Sequence, residues 1–196
     1  MSNKLISKVS LIIVLVINLI SCKAQQTYPL LTSLDNIPNM SHIRDTNNEL
    51  QSFVGKYVST YNGNQITLYI TKENNKFFDY GNQKVYRDVL SVKYIVKNSS
   101  GIILQDTKNM SFQQDDLSYA IYSLWVTENG TKAELIYSGT NCSVGFGSIN
   151  IKKISATEIS WEYRPNDVTT TADKCPPNLD TTIYLPITKD LIFTKE

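Results

Sequence analysis

Gln65-Ile66-Thr67-Leu68-Tyr69-Ile70-Thr71-Lys72 alternates without a break, with Ile66, Leu68 and Ile70 on one side and Thr67, Tyr69 and Thr71 on the other. A period of two marks a β-strand with one buried face, because successive side chains of an extended chain point in opposite directions. Asn62-Gly63 just before it is a two-residue hairpin signal. Further along, Tyr86, Leu90, Val92, Tyr94 and Val96 share one face while Ser91, Lys93 and Lys97 point away, which predicts a long strand. Asn98-Ser99-Ser100-Gly101 turns this strand into Ile102-Ile103-Leu104, and Asn129-Gly130 joins a strand around 122–127 to one over 132–138. Ile149 and Ile151, then Ile159, Trp161 and Tyr163, then Ile183 and Leu185, continue the alternation, and Ile192 and Phe193 close the chain. About nine or ten strands, spaced roughly 10–15 residues apart, imply an all-β, antiparallel meander. Closure into a lipocalin-like barrel removes the exposed edges of such a meander, and a β-sandwich is the alternative.

Ahead of the strands, 45–50 reads as the start of one short N-terminal helix, with Asp45 as N-cap, Leu50, Phe53 and Val54 on one side and Gly55 as its end. The residues at 22–44, with Pro29 and Pro38 among Gln, Thr, Asn and Ser, read as a tether and extended lead-in. Leu30, Leu31, Leu34 and Ile37 are too apolar for a pure spacer, so some of them are expected against the domain.

The N-terminus carries Lys4 and Lys8, then an apolar run from Leu11 to Ile20 broken only by Asn18. A run of that length suits a secretory signal and is about half of what spans a bilayer. It ends in Leu19-Ile20-Ser21-Cys22, which resembles the bacterial lipobox, whose cysteine is acylated and becomes the first residue of the mature protein. Two or more acyl chains make such an attachment stable. The chain therefore divides into a signal at 1–21, a tether and lead-in at 22–44 and a single β-barrel domain at 45–196. No aspartate follows Cys22, and the expected location is the cell envelope, on the outer membrane facing the periplasm, with the cell surface or secretion as alternatives.

Lys4 and Lys8 leave with the signal, so 17 of the 19 Lys and Arg remain against 18 Asp and Glu. No basic stripe of the kind that nucleic acid requires stands out. With Cys22 lipidated, Cys142 and Cys175 are expected to pair in an oxidising compartment, tying the loop before one late strand to the Pro176-Pro177 loop, with two free, buried thiols as the alternative.

Asp45-Thr46 through Leu50, Phe53-Val54-Gly55-Lys56-Tyr57, Asp88-Val89-Leu90, Tyr94-Ile95, the turn at Gly101 and Leu191-Ile192-Phe193-Thr194-Lys195 together resemble a family of small uncharacterised proteins of flavobacteria and related Bacteroidetes. Its members start with a lipoprotein or secretory signal, often reading Ser-Cys-Lys-Ala-Gln as residues 21–25 do here. The resemblance spans roughly residues 40–196 and carries over no catalytic residue. Phe53-x-Gly55-x-Tyr57 also resembles the Gly-x-Trp approach to the first strand of lipocalin-like barrels, with Tyr57 in place of the tryptophan.

The chemistry expected of the chain is binding, without catalysis, metal or cofactor. His42 is the only histidine and reads as an ordinary exposed side chain. A His-based zinc site needs more than one histidine. Gly145-Phe146-Gly147 lacks the third glycine of a nucleotide loop and reads as a turn or bulge. Asp115-Asp116, Glu128, Glu134, Glu158 and Glu162 are the carboxylates that a hydrolase would draw on, as a third reading. The twelve tyrosines are the more informative excess. Tyr57, Tyr94, Tyr122, Trp125, Trp161 and Tyr163 fall on predicted strands, as candidates to face a small hydrophobic or amphipathic ligand inside the barrel. The alternative is a structural or interaction protein of the envelope, with a filled core and an exposed apolar patch.

Overall fold

A computed structural model describes residues 25–113, 116–127, 129–171, 173 and 175–196. The chain is all-β, and eight antiparallel strands close into a barrel. In chain order the strands are β1 (Thr27–Pro29), β2 (His42–Arg44), β3 (Gly55–Tyr61), β4 (Asn64–Asp79), β5 (Lys84–Lys97) and β6 (Ile103–Asp106). They continue as β7 (Ile121–Thr127), β8 (Lys132–Tyr137), β9 (Gly147–Lys153), β10 (Glu158–Pro165) and β11 (Leu191–Lys195). The barrel runs β3-β4-β5-β7-β8-β9-β10-β11, each strand beside its predecessor, and β11 returns to β3 through Thr194 opposite Val58 and Lys195 opposite Tyr57. Of the two expected architectures the barrel is the one formed.

Ile66, Leu68 and Ile70 of β4 stand opposite Val96, Tyr94 and Val92 of β5, so the two faces with period two meet in register. All six side chains are buried. A slip of one residue would turn both sets out into water, which is why this pairing is strongly specified.

β4 and β5 continue past the barrel. β3 pairs with β4 no further than Ile70, and β7 meets β5 at Ser91 opposite Tyr122. Beyond these points the hairpin crosses a bulge between Glu73 and Lys76, where Asn75 adopts a φ of 57° that asparagine tolerates better than most residues. The outer edge of β5 in this extension is taken by β2, with His42 beside Tyr86 and Ile43 beside Arg87 in parallel, and β1 pairs in parallel with β2.

In the lead-in, Leu30 and Ile37 are among the apolar residues expected against the domain and are buried, as are Ser41 and Ile43, while Leu31 is exposed. Burying each large aliphatic side chain contributes about 1.5–3 kcal/mol toward the cost of ordering this segment. The expected N-terminal helix is a single 3-10 turn, Leu50–Phe53, and among the described residues the helical elements are all such short turns. Asp45 still organises it, accepting the Glu49 N–H at 2.7 Å and the Leu50 N–H at 3.2 Å.

Ile183 and Leu185 do not form a strand. Their segment crosses one end of the barrel, where Trp161 donates its indole N–H to the Pro186 carbonyl at 3.0 Å and Tyr163 takes the Thr188 carbonyl on its backbone N–H at 2.9 Å. Leu185 is buried there. At the other end Leu50 and Phe53, both fully buried, close the mouth. Cys142 and Cys175 are bonded, their Cα atoms 5.6 Å apart, and tie the loop before β9 to the loop after β10. Gly147 opens β9 where a Cβ would collide with the Arg164 carbonyl, and Gly145 has a φ of +81°, so the glycine pair serves close strand packing and a turn.

Candidate ligand cleft

The tyrosines and tryptophans expected to face a ligand divide between two places. Tyr57, Tyr94, Trp161 and Tyr163 are inside the barrel and among its largest fully buried side chains, with Tyr137, Phe53 and Phe193. They fill the interior by packing on one another: the Tyr94 and Tyr137 hydroxyls are 3.1 Å apart, and Tyr137 meets Tyr163 edge-on at 5.8 Å between centroids. Tyr163 donates its hydroxyl to the Gly145 carbonyl. Burial pushes all three phenols up, Tyr137 to about 12, because a phenolate would lose its hydration there. The expected open interior is therefore a packed core.

Tyr122 and Trp125 are outside it. Tyr122 stands on the outer wall, where it forms with Val89 and Ala120 a second small apolar cluster, flanked by Phe78, Phe112 and Leu117. Above this cluster opens a cleft of about 410 Å³ lined by Lys76, Phe77, Phe78, Asp79, Tyr80, Phe112, Gln113 and Leu117. Phe78 and Tyr80 lie with parallel rings, 6.0 Å between centroids, and Tyr122 supports Phe78 and Phe112 edge-on from below. The Lys76 ammonium sits 4.4 Å above the Tyr122 ring and 3.1 Å from Glu73. At the outer rim Asp79 pairs with Lys84 at 3.0 Å, and that contact holds its carboxyl below the usual range. Trp125 packs nearby against the Arg87 guanidinium, 4.9 Å from ring centroid to Cζ. Arg87 is buried, and it donates to the Leu30 carbonyl at 3.0 Å.

A polar staple holds the extended hairpin against the lead-in. His42 Nε2 lies 2.8 Å from Asp88 Oδ1, which also accepts the Asn75 N–H of the bulge at 2.9 Å, while Asp88 Oδ2 accepts the Asp45 N–H at 3.0 Å. Lys72 completes the staple at 2.7 Å from Asp45 Oδ2. Burial pushes the Asp88 carboxyl up, but the donors from Asn75, His42 and Asp45 outweigh it and hold the group below the usual range. His42 is thus mostly buried and paired, and not the exposed side chain its setting in the sequence suggests. The role of Asp88 was not visible in the sequence because its partners come from two distant segments, His42 with Asp45 and the bulge at Asn75.

Cys22 and the lipobox residues Leu19, Ile20 and Ser21 fall outside the described residues, as do Asp115 and Glu128. Glu134 and Glu162 lie on the outer wall on either side of Asn150, two strands apart, and Glu162 accepts the Arg164 Nε–H at 2.7 Å. Among the described residues no three His, Cys, Asp or Glu side chains gather as a metal site would require, and no helix is long and apolar enough to cross a membrane.

An up-and-down barrel with a packed interior and a cleft on its outer wall defines a small β-barrel domain compatible with ligand binding. The chain belongs to a family of unknown function, DUF6705, whose profile matches residues 6–196. No curated protein and no solved structure matches it.

Proposed function

We propose that the chain is an exported envelope protein, anchored by lipid on Cys22, that binds a small amphipathic ligand in the outer cleft and catalyses no reaction. The observation that carries this reading is the placement of aromatic surface. The interior is filled by the chain's own side chains, whereas Phe78, Tyr80 and Phe112 line an open space of about 410 Å³. Small-molecule sites occupy roughly 300–1,000 Å³ and combine apolar walls with a few polar groups. Here the walls are phenyl and phenol rings, and the polar groups are Lys76, Asp79 and Gln113 at the edges. That set suits a molecule with one flat apolar face and a polar margin. The Bacteroidetes origin implied by the family resemblance, and the lipobox, support placing it on the outer membrane facing the periplasm.

Native mass spectrometry of the full chain extracted from an envelope, compared with its denatured mass, tests the reading. Releasable extra mass is expected on the parent and is expected to disappear in the Tyr80→Ala, Phe112→Ala double variant. A clean mass on the parent, or mass retained by the variant, overturns it. The packed interior also favours a second reading, an interaction protein of the envelope, and a clean mass together with specific crosslinks to another envelope protein would support that one.

A further inference from the structure

β1 and β2 both run parallel to β5, so their N-terminal ends point toward the 79–84 turn from which β5 starts. Gln25 donates its side-chain amide to the Met40 carbonyl at 3.0 Å, and the Met40 N–H donates to the Lys84 carbonyl at 2.7 Å. The described chain therefore begins beside the tip of the β4–β5 hairpin, at the end remote from the barrel. Cys22 is three residues before Gln25. A fully extended chain of that length reaches ~11 Å at most. An anchor at Cys22 would hold this tip, and not the barrel wall, against the bilayer.

The tip is built for such a place. Phe77 is 36% exposed, Tyr80 42% and Met40 45%, and the Tyr86 ring lies 5.3 Å from that of Phe77. Tyr86 and Met40 also share a shallow groove with Gln25 and Gln26, so the apolar surface is continuous with the point where the chain emerges. Amphipathic rings favour the headgroup level of a membrane, where one edge stays wet. The tip is also stiff. Gln83 donates its side-chain amide to the Leu34 carbonyl at 2.8 Å and the Ile37 carbonyl at 2.9 Å, and the Asp88 staple fixes the base of the hairpin. The tip is thereby fixed to the lead-in segment from which the chain emerges.

We infer that the tip of the β4–β5 hairpin, with Met40, Phe77, Tyr80 and Tyr86, rests on the lipid surface that holds Cys22; the inference rests on the anchor proposed above. The cleft then opens at headgroup level, where amphipathic molecules accumulate.

The test separates this contact from the anchor itself. The chain beginning at Cys22 is joined through that thiol to a maleimide-bearing lipid in phosphatidylethanolamine–phosphatidylglycerol vesicles, the other two cysteines being bonded to each other. Attachment is then independent of cellular processing, and natural lipidation is read separately from the mass of Cys22. Tyr80→Trp and Phe77→Trp report on the tip, and Ile102→Trp, at a site 62% exposed beyond the far end of β5, reports on the opposite end. Each is compared with the parent in vesicles with and without lipids brominated high in the acyl chain. The two tip indoles are expected to lose about half their added emission, as rings buried ~5–10 Å into the interface do, and the Ile102→Trp indole to lose none. Equal quenching at all three sites, or none at the tip, overturns the inference. The second of those results would assign the patch to a protein partner or a second copy of this chain.

Discussion

His42 Nε2 lies 2.8 Å from Asp88 Oδ1, and this one contact joins the lead-in to the base of the hairpin across 46 residues of sequence. Because Asp88 also accepts N–H groups from Asn75 and Asp45, it cannot be replaced by an amide without turning a donor toward a donor. Asp88→Asn is expected to cost about 2–3 kcal/mol, the range for a buried charged hydrogen bond. At about 2–4 °C per kcal/mol for a chain of this size, calorimetry is expected to show a fall in Tm of about 4–12 °C. The pH dependence has a definite sign. The folded carboxyl is held below its ordinary value, so its contribution is present above the unfolded pKa near ~3.9 and is lost as the pH falls through the lower folded value. Acid unfolding of Asp88→Asn is expected to be flatter than that of the parent over that window; parallel curves would remove Asp88 from the account.

The disulfide closes a loop of 33 residues and pins the segment that crosses one barrel end. Loop-closure entropy for that length is worth roughly 3–4 kcal/mol in the unfolded chain. Cys142→Ser with Cys175→Ser is expected to lower the urea midpoint accordingly, with a slope equal to or steeper than the parent's because the uncrosslinked unfolded chain exposes more surface. An unchanged midpoint would mean that 180–188 is held by its hydrogen bonds alone.

Alkaline stability follows from the buried phenols. Tyr137 is raised to about 12, and Tyr94 and Tyr163 are raised as well, burial being the main cause for each. A raised folded pKa means the stabilisation is complete below the unfolded value near ~10 and is lost as the pH climbs toward the folded one. Tyr137 alone then withdraws roughly 3 kcal/mol between about pH 10 and 12. Absorbance titration at 295 nm is expected to show these phenols ionising together with loss of near-ultraviolet circular dichroism. Independent ionisation on a folded chain would contradict the packed core.

Much of the barrel was legible because its strands are half-buried and so keep period two: Ile66, Leu68 and Ile70, then Leu90 through Val96, name their own inner faces. Legibility failed where order comes from long-range pairing or from a break in period. β1 and β2 span three residues each and hold their shape only through partners as distant as Tyr86, so a segment with Pro29 and Pro38 showed apolar residues but no strand pattern of its own. In the cleft, Asn74-Asn75 interrupts β4, and after the bulge Phe77 and Phe78 fall on opposite faces of the hairpin. The signal that could have found it was local: four aromatics, Phe77, Phe78, Tyr80 and Tyr86, around Asp79 and Gly81, too many for a solvated turn. The interior tyrosines could be named only as candidates to face a ligand, because composition cannot separate a ring that meets a ligand from one that meets another ring.

The mass of the mature N-terminus decides the cellular setting. If Leu19-Ile20-Ser21-Cys22 acts as the lipobox it resembles, cleavage falls before Cys22 with acyl chains on its sulfur and amino group, whereas an ordinary secretory cut would leave a free thiol or remove the residue. Each buried methylene contributes about 0.8 kcal/mol, so a diacylated or triacylated chain should partition wholly with detergent or membrane, and an unmodified one with water. Protein expressed with its own signal in a Gram-negative host is expected to yield an N-terminal peptide starting at Cys22 and carrying two or three fatty chains, and Cys22→Ser is expected to abolish both the modification and membrane retention. Because Gln25 and Gln26 are already engaged with Met40 and His42, the freed variant should stay folded, with the melting temperature of the parent. A water-soluble parent with an unmodified Cys22 would remove the anchor, and with it the proposed placement on the outer membrane.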